Sequence, residues 1–262
     1  MFIYFFNYPC RKDGRTQMNR FEFRAKFNCK GPVTIPVIHV LNEHQATLNI
    51  QTAIDCGCQG VFLINHDFEK ENLIPIIKVV RKKFPKIWLG INFLAVTGKD
   101  AFPILGELQR EGTQVDGYWA DDARIDEMRA PNEQLEAENI DKVRTSSGWT
   151  GIYIGGTAFK KQREVLPKNY GVSARIASNH MDIIVTSGIA TGQAADVKKI
   201  KVFRENCGET ALALASGITP ENASEYLSDV DLFMVATGIN YPSDFYNIDP
   251  KRLNKLMELT QK

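Results

Sequence analysis

From residue 35 onward, short, almost wholly apolar runs alternate with longer segments in which apolar positions recur every three or four residues. The runs are Pro36–Leu41, Gly60–Asn65, Ile87–Phe93, Asp116–Ala120, Gly151–Gly155, Asp182–Thr186, Ala211–Ala215 and Leu232–Ala236. Their length, their β-branched and aromatic content and their flanking glycines predict strands. Near-continuous apolarity is what a parallel sheet covered on both faces requires.

The intervening segments carry helical periodicity. Asn72 to Phe84 places Leu73, Ile76, Ile77 and Val80 on one face, and Ala194 to Phe203 sets Val197 and Ile200 against Lys198 and Lys199. Thr219-Pro220-Glu221 and Asp249-Pro250 read as helix starts, an N-cap followed by proline at the first helical position. Eight strand-then-helix units predict a closed (β/α)8 TIM barrel in a single domain spanning 35–262, preceded by an N-terminal extension, 1–34. An open doubly wound sheet is the competing architecture. Two connections are longer: Asp121 to Trp149, whose charged run Glu133 to Arg144 reads as a solvated helix, and the basic, proline-interrupted stretch Lys160 to Tyr170, which reads either as a lid or as a surface excursion.

Composition narrows the class. The chain has 262 residues, 44% of them hydrophobic, and 32 Lys and Arg balance 31 Asp and Glu. A formal charge of +1 gives no bulk field for nucleic acid or a membrane surface, so neither is expected as a partner. The five cysteines are Cys10, Cys29, Cys56, Cys58 and Cys207. They fit neither a zinc module nor a disulfide scaffold and read as free thiols in a reducing, cytoplasmic setting. Cys56-Gly57-Cys58 falls at the end of a predicted amphipathic helix and reads as structural. The apolar opening MFIYFFNYPC is too short to span a bilayer and has its basic residues on the wrong side for a secretory signal. Met18 offers a second start, which makes residues 1–17 a dispensable extension in this reading.

In a TIM barrel the chemistry belongs at the carboxyl ends of the strands. Those ends carry His39, His66, Asp67, Asn92 and Asp121, the candidate catalytic set. His39 and His66 lie on neighbouring strands and suit general acid–base work, though His39 inside an apolar run also fits a satisfied core histidine. Two histidines with Asp67 could supply three metal ligands, but the spacing matches no metal motif, and no metal is expected. Lys160 and Lys161 could clamp a phosphate, one of the pair at most, because neighbouring side chains point apart.

The last three units end in small residues: Ser187, Gly188, Thr191 and Gly192, then Ser216 and Gly217, then Thr237 and Gly238. Glycines give close backbone approach and helix starts present free N–H groups, so these eight residues read as a phosphate cradle. The loops after the seventh and eighth strands are where barrels commonly hold phosphate. FMN is a rival ligand at such loops, but nothing marks a seat for its ring, and no cofactor is expected.

Several stretches resemble a known family. Ile91-Asn-Phe-Leu-Ala-Val-Thr-Gly-Lys-Asp-Ala101, Thr186-Ser-Gly-Ile-Ala-Thr-Gly-Gln-Ala-Ala-Asp196 and Ala215-Ser-Gly-Ile-Thr-Pro-Glu-Asn222 resemble segments of BtpA-type proteins, named for a role in photosystem I biogenesis. The resemblance implies a barrel akin to the ribulose-phosphate-binding group. This chain departs from the family pattern at three places. The first-strand H-x-x-P-L-P-G survives only as His39, Ile64-Asn-His-Asp67 replaces E-N-F-G-D, and Asn240 lies near the place of a lysine. The expected function is that of an enzyme acting on a small phosphorylated metabolite, a ribose phosphate or nucleotide, by isomerisation, retro-aldol cleavage or glycosidic cleavage. The alternative is a non-catalytic assembly factor with a retained phosphate site. Exterior helices leave a homo-oligomer open.

Overall fold

The computed structural model describes residues 18–260; Cys10 and the proposed dispensable segment 1–17 lie outside the described residues. Eight parallel strands close on themselves in sequential order: β1 (Val33–Val40), β2 (Gly60–Asn65), β3 (Trp88–Phe93), β4 (Gly117–Ala120), β5 (Ile152–Gly156), β6 (Ile183–Thr186), β7 (Ala211–Ala215) and β8 (Leu232–Val235). The register Val33↔Leu232 to Pro36↔Val235 joins β1 to β8 and excludes the open sheet. All eight expected strands form. β1, however, begins at Val33 rather than Pro36, so its first turn of pleat comes from the segment assigned to the extension.

Alternation along each strand sorts side chains into two cores. Ile35 and Val37, Phe62 and Ile64, and Ala211, Ala213 and Ala215 fill the barrel. Ile38, Val40, Val61, Leu63, Leu212 and Leu214 face the helices. The three alanines of β7 leave room on the axis for aromatic rings. Helix α1 (Arg20–Lys26) sends Phe23 and Phe27 into the base of the barrel, fully or almost fully buried. From there a chain of edge-to-face contacts climbs the axis, Phe27 to Trp88 at 5.7 Å, Trp88 to Phe62 at 5.3 Å, Phe62 to Trp119 at 6.0 Å and Trp119 to Phe159 at 5.8 Å.

The outer layer is α2 (Glu43–Asp55), α3 (Lys70–Lys83), α4 (Gly98–Arg110), α5 (Leu135–Ser147), α6 (Tyr170–Ala177), α7 (Val197–Asn206) and α8 (Pro250–Thr260). Asp249 caps α8 as expected, accepting from Lys251 N at 2.9 Å. The other expected start fails to become an α-helix: after Thr219-Pro220 there is only a 3-10 turn at Ala223–Glu225. Asn222 folds back, accepting from Thr219 N at 2.9 Å and donating to Gly217 O at 2.7 Å, which closes the turn on itself. The Glu133 to Arg144 run is not wholly solvated. Ala137 and Ile140 are buried on α5, and Arg144 sits beside the Phe102, Trp149 and Tyr153 rings. Cys56 and Cys58 both face α8, toward Pro250 O at 3.7 Å and Met257 Sδ at 3.6 Å, and burial raises the Cys58 thiol to about 12.

The base of the barrel is held by one arrangement used three times. Asp116, Asp182 and Asp231 each immediately precede an even-numbered strand. Each carboxylate accepts a backbone N–H from the neighbouring odd strand: Leu89 at 2.8 Å, Tyr153 at 2.7 Å and Leu212 at 2.9 Å. Each returns its own N–H to the carbonyl of that same residue. Each also pairs with an arginine from the helix before that odd strand, Arg81, Arg144 and Arg204 respectively. Those arginines reach on to the carbonyls of Ile87, Gly151 and Thr210, the residues that lead into the strands. Gln59 stands before β2 in the corresponding place, and Arg20 and Arg24 of α1 turn instead to Asp231. The Asp231 carboxylate, fully buried, thus faces three guanidinium groups.

Breaking a buried ion pair by removing one partner leaves the other uncompensated and costs about 3–5 kcal/mol. Asp231→Asn is expected to lose that much stability in urea denaturation, and Asp116→Asn less, because Asp116 is more exposed.

Candidate active site at the barrel mouth

The carboxyl ends of the strands surround a cavity of about 400 Å³, counted to its open mouth. Six of the eight cradle residues line it: Thr191, Gly192, Ser216, Gly217, Thr237 and Gly238. With them are His39 from β1, Trp119 from β4 and Lys160 from the segment after β5. Ser187 and Gly188 line a second cavity between the β6 loop and α7 instead. The Ser187 hydroxyl donates to Gly188 O at 2.8 Å and accepts from Lys160 N at 2.9 Å, which ties the β5 and β6 loops together.

The three cradle loops interlock. A Cβ at Gly217 would fall inside the Gln193 backbone, and one at Gly238 inside Ile218 O. Gly217 also has a φ of +64°, in the left-handed region. The glycines are therefore required by loop-on-loop contact, whatever they offer a ligand. Gly192, with a φ of +78°, has only Thr237 Oγ1 near its Cβ position, at 3.6 Å, and faces the open side. Ser216 Oγ donates to Ala190 O at 2.8 Å, drawing the β6 and β7 loops together.

Of the five candidate catalytic residues, His39 alone is among the cavity's lining. Its ring stacks on Phe245 at 3.9 Å, with planes 4° apart, and Nδ1 lies 3.1 Å from Phe245 O. A carbonyl only accepts, so Nδ1 carries the proton and Nε2 keeps its lone pair. Burial holds the imidazole down at about 4, opposed by the Phe245 carbonyl and assisted by the positive charges of Lys160 and Lys161. His39 is therefore neutral at pH 7. His66 packs against the edge of His39 at 5.5 Å. Asp67 is on the exposed rim, 3.7 Å from His66 Nδ1, and accepts the Tyr246 hydroxyl at 2.6 Å.

Asn92 and Asp121 form a buried pair beneath the mouth, Asn92 Nδ2 donating to Asp121 Oδ1 at 3.3 Å. The remaining oxygens, Asn92 Oδ1 and Asp121 Oδ2, have no partner, and neither has the buried Nε1 of Trp119, a residue of the cavity's lining. Burial raises the Asp121 carboxyl above its ordinary range against the pull of Lys161 and Lys160. Burial also lowers the Lys160 amine to about 8, and Lys161 adds to that effect while Asp121 opposes it. Lys161 is exposed. The stretch from Lys160 to Tyr170 is tied down by Arg163, which pairs with Glu127 and donates to Ile125 O at 3.1 Å.

The strap over β1 and β2, Phe245-Tyr246, is the feature that sequence reading missed. Gln45 and Asn49 of α2 donate to Tyr246 O at 2.8 and 3.1 Å, and Asn240 donates to Phe245 O at 2.9 Å. The signal was present in Tyr241-Pro-Ser-Asp-Phe-Tyr246, three aromatics within a polar, proline-bearing connection. Among the described residues, no three His, Cys, Asp or Glu side chains come together as a metal-binding group would.

The family match falls on the same half of the barrel as the cradle. Residues 167–262 match the BtpA family. That BtpA-like segment runs from the approach to α6 through α8 and carries the β6, β7 and β8 loops. The sgc region protein SgcQ of Escherichia coli (strain K12) is 30% identical over 84 residues, 32% of this chain and 31% of that protein, so the match spans about a third of the relative's length. Among solved structures, the tryptophan synthase alpha subunit of Legionella pneumophila superposes with a TM-score of 0.61 at 15% identity, over 92% of this chain and 98% of that one. Phosphoribosyl anthranilate isomerase of Thermus thermophilus gives 0.55 at 14%, over 86% and 96%, and a structure titled "Native KDPGal structure" gives 0.58 at 10%, over 86% and 92%. At these identities the likeness establishes the TIM-barrel fold.

Three outcomes follow from the BtpA-like loops and the first strand. Gly217→Ala is expected to lower the thermal midpoint strongly without any ligand, because Gln193 has to move. Gly192→Ala should cost only the left-handed backbone penalty of about 1–2 kcal/mol. For His39, the folded pKa lies below the unfolded value near 6.5, so the unfolded chain binds more protons between the two. Its contribution to stability is complete above about pH 6.5 and falls as pH drops toward 4, and His39→Gln should flatten that part of the stability–pH profile measured by denaturation.

Proposed function

We propose that the protein is an enzyme of small phosphorylated metabolites, with the phosphate on the cradle and the reacting end toward His39. One observation carries the reading: Thr191, Gly192, Ser216, Gly217, Thr237 and Gly238 line one cavity with a lysine and a neutral histidine. Hydroxyls and backbone amides are the groups that hold phosphate oxygens in glycine-rich loops. Bound there, the ester would spend its phosphate interactions on positioning the rest of the molecule.

His39 supplies a lone pair at Nε2, and its proton at Nδ1 is fixed by Phe245, so it would accept a proton from substrate and return it without a change of ring orientation. The Asn92–Asp121 pair lies buried beneath the mouth, outside the cavity's lining, and would act as a positioning group rather than by touching substrate. The fold shared with phosphoribosyl anthranilate isomerase is compatible with isomerase or lyase chemistry.

Thermal denaturation in the presence of inorganic phosphate, ribose 5-phosphate, sugar phosphates, nucleoside monophosphates and FMN tests the reading. A ligand at 100 times its dissociation constant adds about 2.7 kcal/mol, worth about 2–4 °C per kcal/mol in a chain of this size. A shift is expected with at least one ester and is expected to shrink in Thr237→Val. No shift with any phosphate compound would favour the assembly-factor reading.

A further inference from the structure

We propose that Lys160 is the carbonyl-capturing amine of this site, and that its substrates are phosphorylated aldehydes or ketones held as imines on its Nζ. The proposal rests on the phosphate reading above and names the substrate class within it.

The placement of the residue carries the inference. Lys160 enters from the segment after β5, and His39 enters from β1, the strand diametrically opposite in a closed barrel of eight. Both line the cavity that the cradle loops border, so a molecule with its phosphate on the β7 and β8 loops has the amine on one side and the imidazole on the other. The Lys160 backbone is fixed by its N–H bond to Ser187 Oγ at 2.9 Å.

The ammonium form of Lys160 is favoured only at a distance, by the buried Asp121 carboxylate. No carboxylate lies within ion-pair distance of Nζ among the described residues, and its nearest described interaction is with the Phe159 ring, centroid at 5.6 Å. The side chain is half-buried and stands next to a second cation, Lys161. A lysine desolvated beside another positive group is how an amine becomes a nucleophile at neutral pH. Lys199 provides the contrast: its burial is similar, but its Nζ donates to Ala158 O at 2.6 Å and Ser187 O at 2.7 Å, so its protons are engaged in holding loops.

The chemistry balances without an added oxidant or reductant. The neutral Lys160 amine forms a bond to the carbonyl carbon as the carbonyl π pair moves to oxygen, giving a carbinolamine. The two amine protons then leave with that oxygen as water, and the C=N bond of an imine replaces C=O. Protonation at nitrogen makes the adjacent carbon–carbon or carbon–hydrogen bond labile, and His39 Nε2 is the lone pair positioned to receive a proton.

The test is borohydride reduction of the full-length protein with dihydroxyacetone phosphate or pyridoxal 5'-phosphate, followed by peptide mass spectrometry, with glycerol 3-phosphate thermal shifts recorded in parallel. The expected result is one secondary-amine adduct per chain at Lys160, suppressed by inorganic phosphate and lost in Lys160→Met, while the glycerol 3-phosphate shift survives that substitution. A normal glycerol 3-phosphate shift with no adduct at Lys160, or with adducts spread over surface lysines, overturns the imine role and leaves the phosphate reading standing. Absence of both the shift and the adduct overturns the two together. Labelling at Lys160 that pyridoxal achieves as readily as its phosphate overturns the substrate class.

Discussion

The carboxylate clamp at the base is the constraint on which the barrel depends. A parallel barrel of short strands gains little from each pair's own ladder, and here β4, β6 and β8 are only four residues long. The aspartates before them work where the ladder is weakest, at the strand entrance, by exchanging two backbone bonds with the neighbouring strand and drawing in an arginine from the helix outside. Each clamp joins an even strand, an odd strand and a helix in one hydrogen-bonded unit. Its recurrence at every second strand makes the barrel a set of βαβα pairs, with the first pair secured differently through α1. Because Asp231 collects arginines from both α1 and α7, the clamp before β8 also secures the seam where the chain's first strand meets its last.

Stability and chemistry are thereby placed at opposite ends. The paired aspartates and arginines lie at the base, where only Arg24 Nε and Arg144 Nε and Nη1 are buried without a partner among the described residues, while the mouth holds acceptor oxygens and an indole N–H without partners, Asn92 Oδ1, Asp121 Oδ2 and Trp119 Nε1. Unsatisfied buried polar groups are costly, and they persist only where the surrounding structure is strong enough to carry them. The cradle loops are rigid for a separate reason, since Gly217 and Gly238 bring three loops into contact too close for a side chain. The match to BtpA proteins covers those loops, and the other half of the mouth brings the histidines, the Asn92–Asp121 pair and Lys160.

The strands were legible because a sheet covered on both faces leaves no polar alternation to confuse, and the eightfold alternation with helices fixed the architecture. The start of β1 was hidden by Pro36, which reads as a strand edge but here continues a strand in register with Val235. Thr219-Pro220 carries a genuine capping signal, yet the Asn222 side chain satisfies the backbone locally and the segment ends at a 3-10 turn; cap residues announce a start, not a length. The cradle residues could be named from their ordinals, but the division between those facing the mouth and those facing α7 depends on how the β6 loop turns. Asp67 and Lys160 show the same limit. Their strand ends were apparent, while the exposure of one and the burial of the other depend on the Phe245-Tyr246 strap and on the β5–β6 loop contact, between residues far apart in sequence.

The aromatic column along the axis has an optical consequence. The chain's three tryptophans occupy three separate layers: Trp88 near the base, Trp119 at the floor of the cavity and Trp149 in the outer core, where its indole N–H donates to Val115 O at 2.9 Å. Emission from Trp119 looks directly into the space a ligand would fill, whereas Trp149 is shielded from it by the barrel wall. Replacing two of the three with phenylalanine in turn would give three single-tryptophan variants, one reporting on the foundation, one on the chamber and one on the helical shell.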